Sequence, residues 1–338
     1  MRKLCIIALV LMLAVGGVFF SNRLLGSVQI SMIDDEAVNA LVLGMDEVGV
    51  NSDVILLIGY QPKRQQITVM QLPRDTYFEV DGKAQRLNHV YASYLQTEPT
   101  PEVALEKTAY VISQALNVPI AVTVSFGLDA FADMVDAVGG VPINIPFDMQ
   151  YRDDEQNLVI ALPQGETVLS GDTAKQFVRF RSSYLQGDIG RLDAQKLFMA
   201  SLLDQVTGNN IDPSKLFALY TKHKDTVHTT ANAKSAIKLA VDITKNLNNC
   251  KVAFLSIPGE AMQHPSLGWR YAINKAATCD VLNTYFAADH IHSSAFDQSG
   301  AFCAEEWDAF ENVYYAGEYE YTVYTPNDIS NIKIVKKE

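Results

Sequence analysis

The sequence lacks the short motifs that mark the commonest nucleotide-binding and hydrolytic sites. It contains no G-x-x-x-x-G-K-[ST], no G-x-G-x-x-G, no G-x-S-x-G and no H-E-x-x-H. These absences argue against nucleotide binding by the common glycine-rich loops, against serine-hydrolase chemistry and against zincin chemistry. Internal repeats and low-complexity tracts are absent as well.

Positive charge is also scarce. The chain of 338 residues has 27 Lys and Arg against 39 Asp and Glu, which gives a formal net charge of −12. An acidic chain of this kind is not a general nucleic-acid binder, because such proteins present a broad basic surface. Hydrophobic residues make up 48% and charged residues 20% of the chain, as in an ordinary globular protein with a sizeable core. Any binding site for an anion must therefore be formed by a small cluster of basic residues within an acidic protein.

Cysteine is rare and has no metal-cluster spacing. Cys5 lies in an apolar run, and Cys250, Cys279 and Cys303 lie outside it without any C-x-x-C pair. Three cysteines allow one disulfide with one thiol left over. Buried or unpaired thiols and a Cys279–Cys303 disulfide both stay open as readings. The nearest approach to a histidine site, around His290, is more typical of solvated side chains than of a metal site.

The N-terminus predicts a retained membrane anchor. Residues 1–3 carry Arg2 and Lys3, and the uncharged run that follows is about 26 Å long as a helix, close to the thickness of a bilayer core. We expect a signal anchor at residues 4–22 and a linker at 23–37. A cleaved signal peptide is the alternative, but its apolar core is shorter and ends in a small-residue site. Basic residues before the span keep the N-terminus in the cytoplasm, so the rest is expected outside.

Apolar runs and turn signals predict an α/β domain over residues 38–286. The pattern indicates an α/β/α layered sandwich with a central mixed sheet. The predicted strands are Ala40–Leu43, Val54–Tyr60, Ile67–Leu72, Val122–Phe126, Val141–Ile145 and Val252–Ile257. The predicted helices are Glu102–Leu116, Leu128–Val138, a helix from Ser170 to Arg179, Gly190–Val206 and Ala231–Leu247. Residues 287–338, acidic and rich in aromatics, are expected to form a small C-terminal extension of unknown role.

The stretch "VRFRSSYLQGDIGRLDAQ" concentrates arginine in this acidic chain. It places Arg179, Arg181 and Arg191 close together, with Asp188 between them and Gln195 one helical turn beyond Arg191. Arginine presents a planar fork of donors that fits phosphate oxygens in pairs. Surface ion pairs are the simpler explanation for any three arginines taken alone.

Carboxylates follow or precede the first strands. Asp46 comes after the first strand, Asp53 stands just before the second, and Arg74 and Asp75 follow the third in "LPRDTY". If the strands are neighbours, Asp46 and Asp53 lie at one edge of the sheet, where they could share a divalent cation with substrate phosphates. Aspartates near strand ends are, taken alone, more often turn or cap residues.

The ordered stretches together resemble the LytR–CpsA–Psr proteins, which attach glycopolymers to the cell wall in mainly Gram-positive bacteria. The resemblance runs from about Val38 to about Leu282. It is carried by "LVLGMD", "NSDVILLIGYQPKRQQITVMQLPRDTYFEV", "RLNHVYA", "VSFGLDAFADMVDAVGGVPINI", "LPQGETVLSGDTAKQFVRFR", "GDIGRLDAQ" and "LSIPGE". The set in order is far more specific than any one piece.

The resemblance implies roles for these residues. Asp46 and Asp53 would bind Mg²⁺, with Mn²⁺ as an alternative, and Asp75 and Asp188 would orient arginines or accept a proton. The pyrophosphate-binding set would be Arg74, Arg86, Arg179, Arg181, Arg191 and Gln195, and the catalytic set Arg74, Asp75, Asp188 and Arg191. Three departures from the family pattern stand out: a short loop between Asp46 and Asp53, Arg86 where Lys is usual, and Ala194 where many members have Arg.

The activity implied is transfer of a glycopolymer phosphate from a polyprenyl-pyrophosphate lipid to a sugar hydroxyl of peptidoglycan. Its partners would be that lipid-linked donor, peptidoglycan and the membrane, with no nucleic acid. Such a protein would be held in the cell membrane by a single span, with its N-terminus in the cytoplasm and its catalytic domain outside the cell. The alternatives are a polyprenyl-pyrophosphate hydrolase and a lipid-pyrophosphate-binding protein without turnover. A regulator is disfavoured because no DNA-binding motif is visible.

Overall fold

The structure, a computed structural model, describes residues 37–155, 158–185, 187–208, 218–219, 221–231, 239, 243, 246, 249–264, 266–286, 302, 321–328, 332 and 334–337. The predicted span at residues 4–22 therefore lies outside the described residues. No helix within them is both long enough and apolar enough to cross a bilayer. Most of the predicted helix Ala231–Leu247, together with Cys303 and His290, also lies outside them.

A six-stranded mixed sheet forms the centre of the molecule. Its strands are β1 (Val38–Met45), β2 (Ser52–Gln61), β3 (Gln66–Gln71), β6 (Val122–Phe126), β11 (Val227–Thr229) and β12 (Lys251–Ser256). They lie in the order β11-β6-β1-β2-β3-β12, in which β1 pairs antiparallel with β2 and β2 with β3, whereas β6 runs parallel to β1 and β12 parallel to β3. The predicted mixed sheet is confirmed.

Four two-stranded sheets surround the central one. They are built from β4 (Tyr77–Val80) with β5 (Lys83–Arg86), β7 (Val141–Ile145) with β10 (Gly165–Leu169), β8 (Met149–Asp153) with β9 (Leu158–Leu162), and β13 (Gly259–His264) with β14 (Gly268–Ile273).

Helices cover both faces of the central sheet. They are α1 (His89–Leu95), α2 (Pro101–Leu116), α3 (Leu128–Ala137), α4 (Gly171–Arg179), α5 (Asp188–Gly208) and α6 (Lys275–Tyr285). α1, α2 and α6 pack with the Leu41 and Leu57 side of the sheet, and α3 and α5 with the Val42 and Ile58 side. The layered arrangement follows from the two-residue period of the strands, which sends successive side chains to opposite faces.

Local sequence accounts for the ends of several helices. Thr100 caps α2 by accepting a hydrogen bond from the Val103 backbone, and Pro101 occupies the first turn. Ser170 caps α4 in the same way. Gly139 and Gly140 follow α3 with φ values of 87° and 84°, a left-handed conformation that glycine adopts without strain. The predicted glycine stop of this helix is confirmed.

The described parts of the C-terminal extension lie against the main domain. The Phe254 and Tyr324 backbones exchange two hydrogen bonds beside β12, and the Lys337 amide donates to the Ser183 carbonyl before α5. Phe302 is buried, with its ring centroid 5.0 Å from that of Phe78. Of the cysteines that the structure describes, Cys250 is half-buried and Cys279 is buried. The disulfide alternatives remain predictions.

Candidate active site at the mouth of an apolar cavity

A β-bulge decides where Asp53 points. Gly44 pairs with Val54 and Met45 pairs with Ser52, so Asp53 is the extra residue on β2. Strict alternation would place Asp53 on the Ile55 and Leu57 side of the sheet, yet it lines a cavity on the opposite side together with Val54. Bulges re-aim side chains in this way, often next to active sites.

Arg74 lies within reach of three carboxylates. Its Nη1 is 2.6 Å from Asp53 Oδ1, its Nη2 is 3.6 Å from Asp188 Oδ1, and its Nε is 3.8 Å from Asp75 Oδ2. Burial disfavours the charge of Arg74, but the surrounding carboxylates outweigh that effect and raise its pKa. Arg74 is therefore a permanent cation at the centre of the site.

Arg191 is the most buried arginine of the cluster, with 3% of its surface exposed. Its Nη2 is 2.9 Å from Asp188 Oδ2, three residues earlier on α5. Burial, only partly offset by Asp188, lowers the pKa of Arg191, although a guanidinium stays protonated at any physiological pH. Asp188 thus joins Arg74 to Arg191.

Gln195 follows Arg191 by one turn of α5, so both side chains face the sheet. Gln71 at the end of β3 donates from Nε2 to Gln195 Oε1 over 3.2 Å, and Gln195 Nε2 donates to the Val178 carbonyl over 3.0 Å. These bonds fix the amide and tie α5 both to the sheet and to α4.

Arg179 ends α4 and is paired across the mouth of the cavity. Its Nη1 is 2.8 Å from the carboxylate of Glu47, in the turn between β1 and β2. Arg179 is 17% exposed and Glu47 is 57% exposed. Arg181 lies beyond the helix end, is exposed, and acts on Arg191 only through its charge. An arriving phosphate would compete with Glu47 for Arg179.

Asp46 and Arg86 have different surroundings from the arginines at the mouth. Asp46 accepts hydrogen bonds at both oxygens, from the Val50 amide and from the side chain of Asn51, and so organises the turn after β1. Arg86 Nε lies 3.0 Å from Asp75 Oδ1. Asp75 therefore stands between Arg86 and Arg74.

The arginines and Asp53 stand over an apolar cavity. It lies between one face of the central sheet and helices α3 and α5, and it encloses about 1250 Å³ of space free of protein atoms, including its open mouth. Asp53, Arg179, Arg191 and Gln195 line the mouth. The apolar wall below includes Val42, Leu56, Ile58, Ile67, Val69, Phe131, Met134, Phe198, Leu202, Leu203, Val252 and Phe254.

The sequence produces this polarity gradient on two elements at once. On β2 the residues facing the cavity change from Asp53 to Val54, Leu56 and Ile58. On α5 the stripe facing the sheet changes from Arg191 and Gln195 at the start to Phe198, Met199, Leu202 and Leu203 further along. The polar start of β2 and the polar start of α5 lie at the same end of the cavity. The result is a site shaped for an amphiphile with an anionic head and a long apolar tail.

Two buried donors at this site lack hydrogen-bond partners among the described residues: Nε of Arg74 and Nε of Arg191. A buried donor without a partner costs about 1–3 kcal/mol. An anionic ligand at the mouth would supply the missing acceptors. The charges of the arginines are meanwhile balanced by nearby carboxylates, which keeps the site stable without a ligand.

Sequence reasoning missed Glu47 and Gln71. Glu47 is one of several acids in a loop, and its pairing with Arg179 depends on a contact 132 residues apart. Gln71 ends an apolar strand, and alternation along Ile67, Val69 and Gln71 could have placed it on the cavity face.

The fold and the site define a class of protein: a layered α/β domain with a cluster of arginines and carboxylates at the polar end of an apolar cavity. The particular family follows from comparison. The LytR_cpsA_psr family model matches residues 21–286, so the chain belongs to this family.

Its relatives include named transferases. The polyisoprenyl-teichoic acid–peptidoglycan teichoic acid transferase TagU from Bacillus cereus is 29% identical over 268 residues, which cover 76% of this chain and 81% of that protein. The corresponding transferase TagV from Bacillus subtilis is 26% identical over 214 residues, 62% of this chain and 52% of that protein.

Solved structures share the fold. The crystal structure of Bacillus subtilis TagV has a TM-score of 0.58 at 20% identity and covers 78% of this chain and 99% of that one. TagT bound to LIIa-WTA has a TM-score of 0.61 at 20% identity, with 80% and 98% of the two chains covered.

Proposed function

We propose that this protein is a membrane-anchored, extracytoplasmic phosphotransferase. It moves a glycopolymer phosphate from a polyprenyl-pyrophosphate carrier to a sugar hydroxyl of peptidoglycan. The observation that carries this proposal is the position of Arg179, Arg191 and Asp53, with Arg74 bound to Asp53, at the polar end of an apolar cavity. A water-soluble phosphate ester has no apolar group that would occupy such a cavity. A prenyl diphosphate has both a diphosphate for the arginines and an apolar tail for the cavity.

The names of the relatives support the same reaction, since TagU and TagV act between polyisoprenyl-linked teichoic acid and peptidoglycan. Phosphoryl transfer depends mainly on positioning and on neutralising the charge of the phosphate oxygens. In the proposed complex the prenyl tail lies in the cavity. Arg74, Arg179 and Arg191 then bind the pyrophosphate, and Arg181 contributes long-range attraction.

Asp188 and Asp75 are the proposed candidates for the base that accepts the proton of the attacking hydroxyl. Asp188 is 26% exposed and lies between two arginines, and Asp75 is 31% exposed and lies between Arg74 and Arg86. A base must lie within hydrogen-bond reach of the proton that it removes. Asp188 and Asp75 lie 3.6 Å and 3.8 Å from the Arg74 guanidinium, so either would be close to a hydroxyl attacking a phosphate bound at Arg74.

Mg²⁺ is proposed as the metal, held by Asp53 and Asp46. Mg²⁺ is bound by one or two carboxylates together with phosphate oxygens and water, so the absence of any larger ligand cluster from the described residues is no obstacle. Carboxylate oxygens that accept one hydrogen bond keep a further lone pair for a cation. When bound, the ion would neutralise charge on the phosphate oxygens.

Asp53→Asn is expected to weaken metal binding about tenfold or more, because Asp53 is the carboxylate at the mouth of the cavity. Mn²⁺ titration followed by electron paramagnetic resonance measures this without any turnover. Asp46→Asn should have a smaller effect on affinity, because both oxygens of Asp46 already accept hydrogen bonds within the turn and compete with a cation for them. Asp129→Asn, at a carboxylate that is 84% exposed on α3, is the control. Equal Mn²⁺ affinity in all the variants would contradict the assignment.

Val69→Phe is expected to raise the KM for a long-chain prenyl donor about tenfold or more, while a short-chain donor is affected much less. Val69 lies on β3 in the apolar wall, so the larger ring enters free space instead of overpacking a filled core. Steady-state kinetics with donors of two chain lengths test this, and Val69→Ala is the matched control that widens the cavity. An equal effect on both donors would show that the tail does not lie there.

The transfer itself is tested with a synthetic polyprenyl-pyrophosphate glycan, peptidoglycan oligomers and Mg²⁺. Mass spectrometry is expected to show the glycan–phosphate–peptidoglycan adduct together with lipid monophosphate. Lipid monophosphate without an adduct would favour the hydrolase. Tight donor binding without consumption would favour the binding protein.

A further inference from the structure

A second group of residues, two arginines and a histidine, lies beside Asp75, outside the cavity; burial and the two arginines lower the pKa of the histidine, so the arginines carry the positive charge. It consists of Arg86 at the end of β5, His89 at the start of α1 and Arg270 on β14. β5 and α1 are consecutive in the chain, whereas β14 comes from much later in it. The Tyr271 amide donates to the Asp75 carbonyl over 2.9 Å, which places β14 next to the Arg74–Asp75 segment. Tyr77, at the start of β4, pairs with Arg86 of β5.

Arg270 is the unusual member of this group. Only 9% of its surface is exposed, and its Nε is buried without a hydrogen-bond partner among the described residues. Its Nη1 donates to the Trp269 carbonyl over 2.8 Å, and it makes no ion pair within the part of the chain that the structure describes. Burying a guanidinium without a counter-charge is costly. Burial lowers the pKa of Arg270, and the neighbouring Arg86 lowers it further.

The charge balance here differs from that at the cavity mouth. At the mouth, Asp53, Asp188 and Glu47 stand against Arg74, Arg191 and Arg179. Beside Asp75, one carboxylate faces both Arg86 and Arg270, and it is also within reach of Arg74. This second group therefore has excess positive charge, which an anionic ligand would neutralise.

We propose that Arg86, His89 and Arg270 form a binding site for a carboxylate of the peptidoglycan acceptor. This inference rests on the proposed function and names the part of the acceptor that is recognised. Peptidoglycan carries carboxylates on its peptide stems, close to the sugars that supply the attacking hydroxyl. A carboxylate and an arginine fork match in geometry, and the charge assists the hydrogen bonds.

The position of the site favours the acceptor over the donor. In phosphoryl transfer the attacking and leaving oxygens are roughly in line. The leaving lipid phosphate must lie next to the cavity that holds its tail, so the hydroxyl arrives from the opposite side. Arg270 lies away from the cavity: β14 is hydrogen-bonded to the Asp75 segment, and Asp75, Arg86 and Arg270 are not among the described residues that line the cavity.

The test measures acceptor binding in the absence of donor. The probes are disaccharide-peptide fragments of peptidoglycan with free carboxylates and the same fragments with amidated carboxylates. The wild-type protein is expected to bind the free-carboxylate fragments about tenfold or more tightly. Arg270→Gln should lose this preference, and Arg270→Lys should restore part of it. Thermal unfolding of each variant confirms that it is folded.

Matched measurements separate the other outcomes. Arg152→Gln, at an exposed arginine on β8, should keep the preference of the wild type. In the full transfer assay, Arg270→Gln should raise the KM for the acceptor and leave the KM for the donor unchanged. An unchanged preference in Arg270→Gln would overturn the inference, and so would a rise in the donor KM, which would assign the site to phosphates of the donor polymer. If the preference holds while the wild type forms no adduct, the proposed function fails and the carboxylate site stands.

Discussion

Arg74→Ala is expected to reduce transfer by at least about a thousandfold. Arg74 is the shared partner of Asp53, Asp188 and Asp75, and its buried Nε awaits an acceptor. Losing an arginine that neutralises a transferring phosphoryl group costs a factor of about 10³–10⁵ in kcat. The substitution also leaves three carboxylates facing one another, which would repel the pyrophosphate.

Kinetics with the lipid-linked donor measure this effect, and unfolding in denaturant measures the accompanying loss of stability. Arg74→Lys keeps the charge but loses the planar fork, so it should restore folding better than it restores activity. Arg152→Ala, at an exposed ion pair with Asp154, is the control and should behave as wild type. Transfer within tenfold of wild type in Arg74→Ala would remove Arg74 from the catalytic centre.

Asp188→Asn is expected to lower kcat by about a hundredfold or more, as is usual when a general base is lost. The substitution is also expected to change the stability of the protein and its affinity for the donor. Without the carboxylate, Arg74 and the buried Arg191 lose their shared counter-charge, so the protein without ligand is less stable. The same loss makes the mouth more positive, so affinity for the donor should hold or increase. A fall in kcat without a rise in KM is therefore the expected signature.

Asp193→Asn is a closely matched control for that experiment. Asp193 lies on the same helix, pairs with Lys196 three residues later, and has an exposed fraction of 25%, against 26% for Asp188. Its substitution should leave kcat unchanged. If Asp188→Asn retains kcat while Asp75→Asn loses it, the base is Asp75. If both retain it, the attacking hydroxyl needs no carboxylate base.

The sequence was sufficient to predict part of the secondary structure. Apolar runs bounded by polar residues, and helices with clear caps, predicted the bounds of β6 and β7 and the C-terminal end of α4. Those signals are local, because they depend on propensity, on burial and on the few residues at each helix end. The close packing of Arg191 with Asp188 is equally local, since residues three apart on a helix are neighbours. The short strands β4, β5, β8, β9, β10, β11, β13 and β14 and the helices α1 and α6 were not predicted.

Contacts between residues far apart in the chain could not be predicted from these local signals. Resemblance to a family led to Arg74 and Arg179 as members of one site, but nothing in their spacing shows that Asp53 and Glu47 are their partners. The orientation of Asp53 depends on a bulge between Gly44 and Met45, and one extra residue reverses the face to which a side chain points. Alternation alone would have placed it on the wrong side of the sheet.

What the sequence by itself determined is the layered α/β domain, its net negative charge and the presence of arginines suited to phosphate. The tertiary structure alone decided that the polar start of α5 and the polar start of β2 meet above one apolar cavity, and that Arg270 lies beside Asp75. The physical reason is that a cavity and a charge cluster arise from the packing of separate elements. Each element is compatible with many partners until the whole core is assembled.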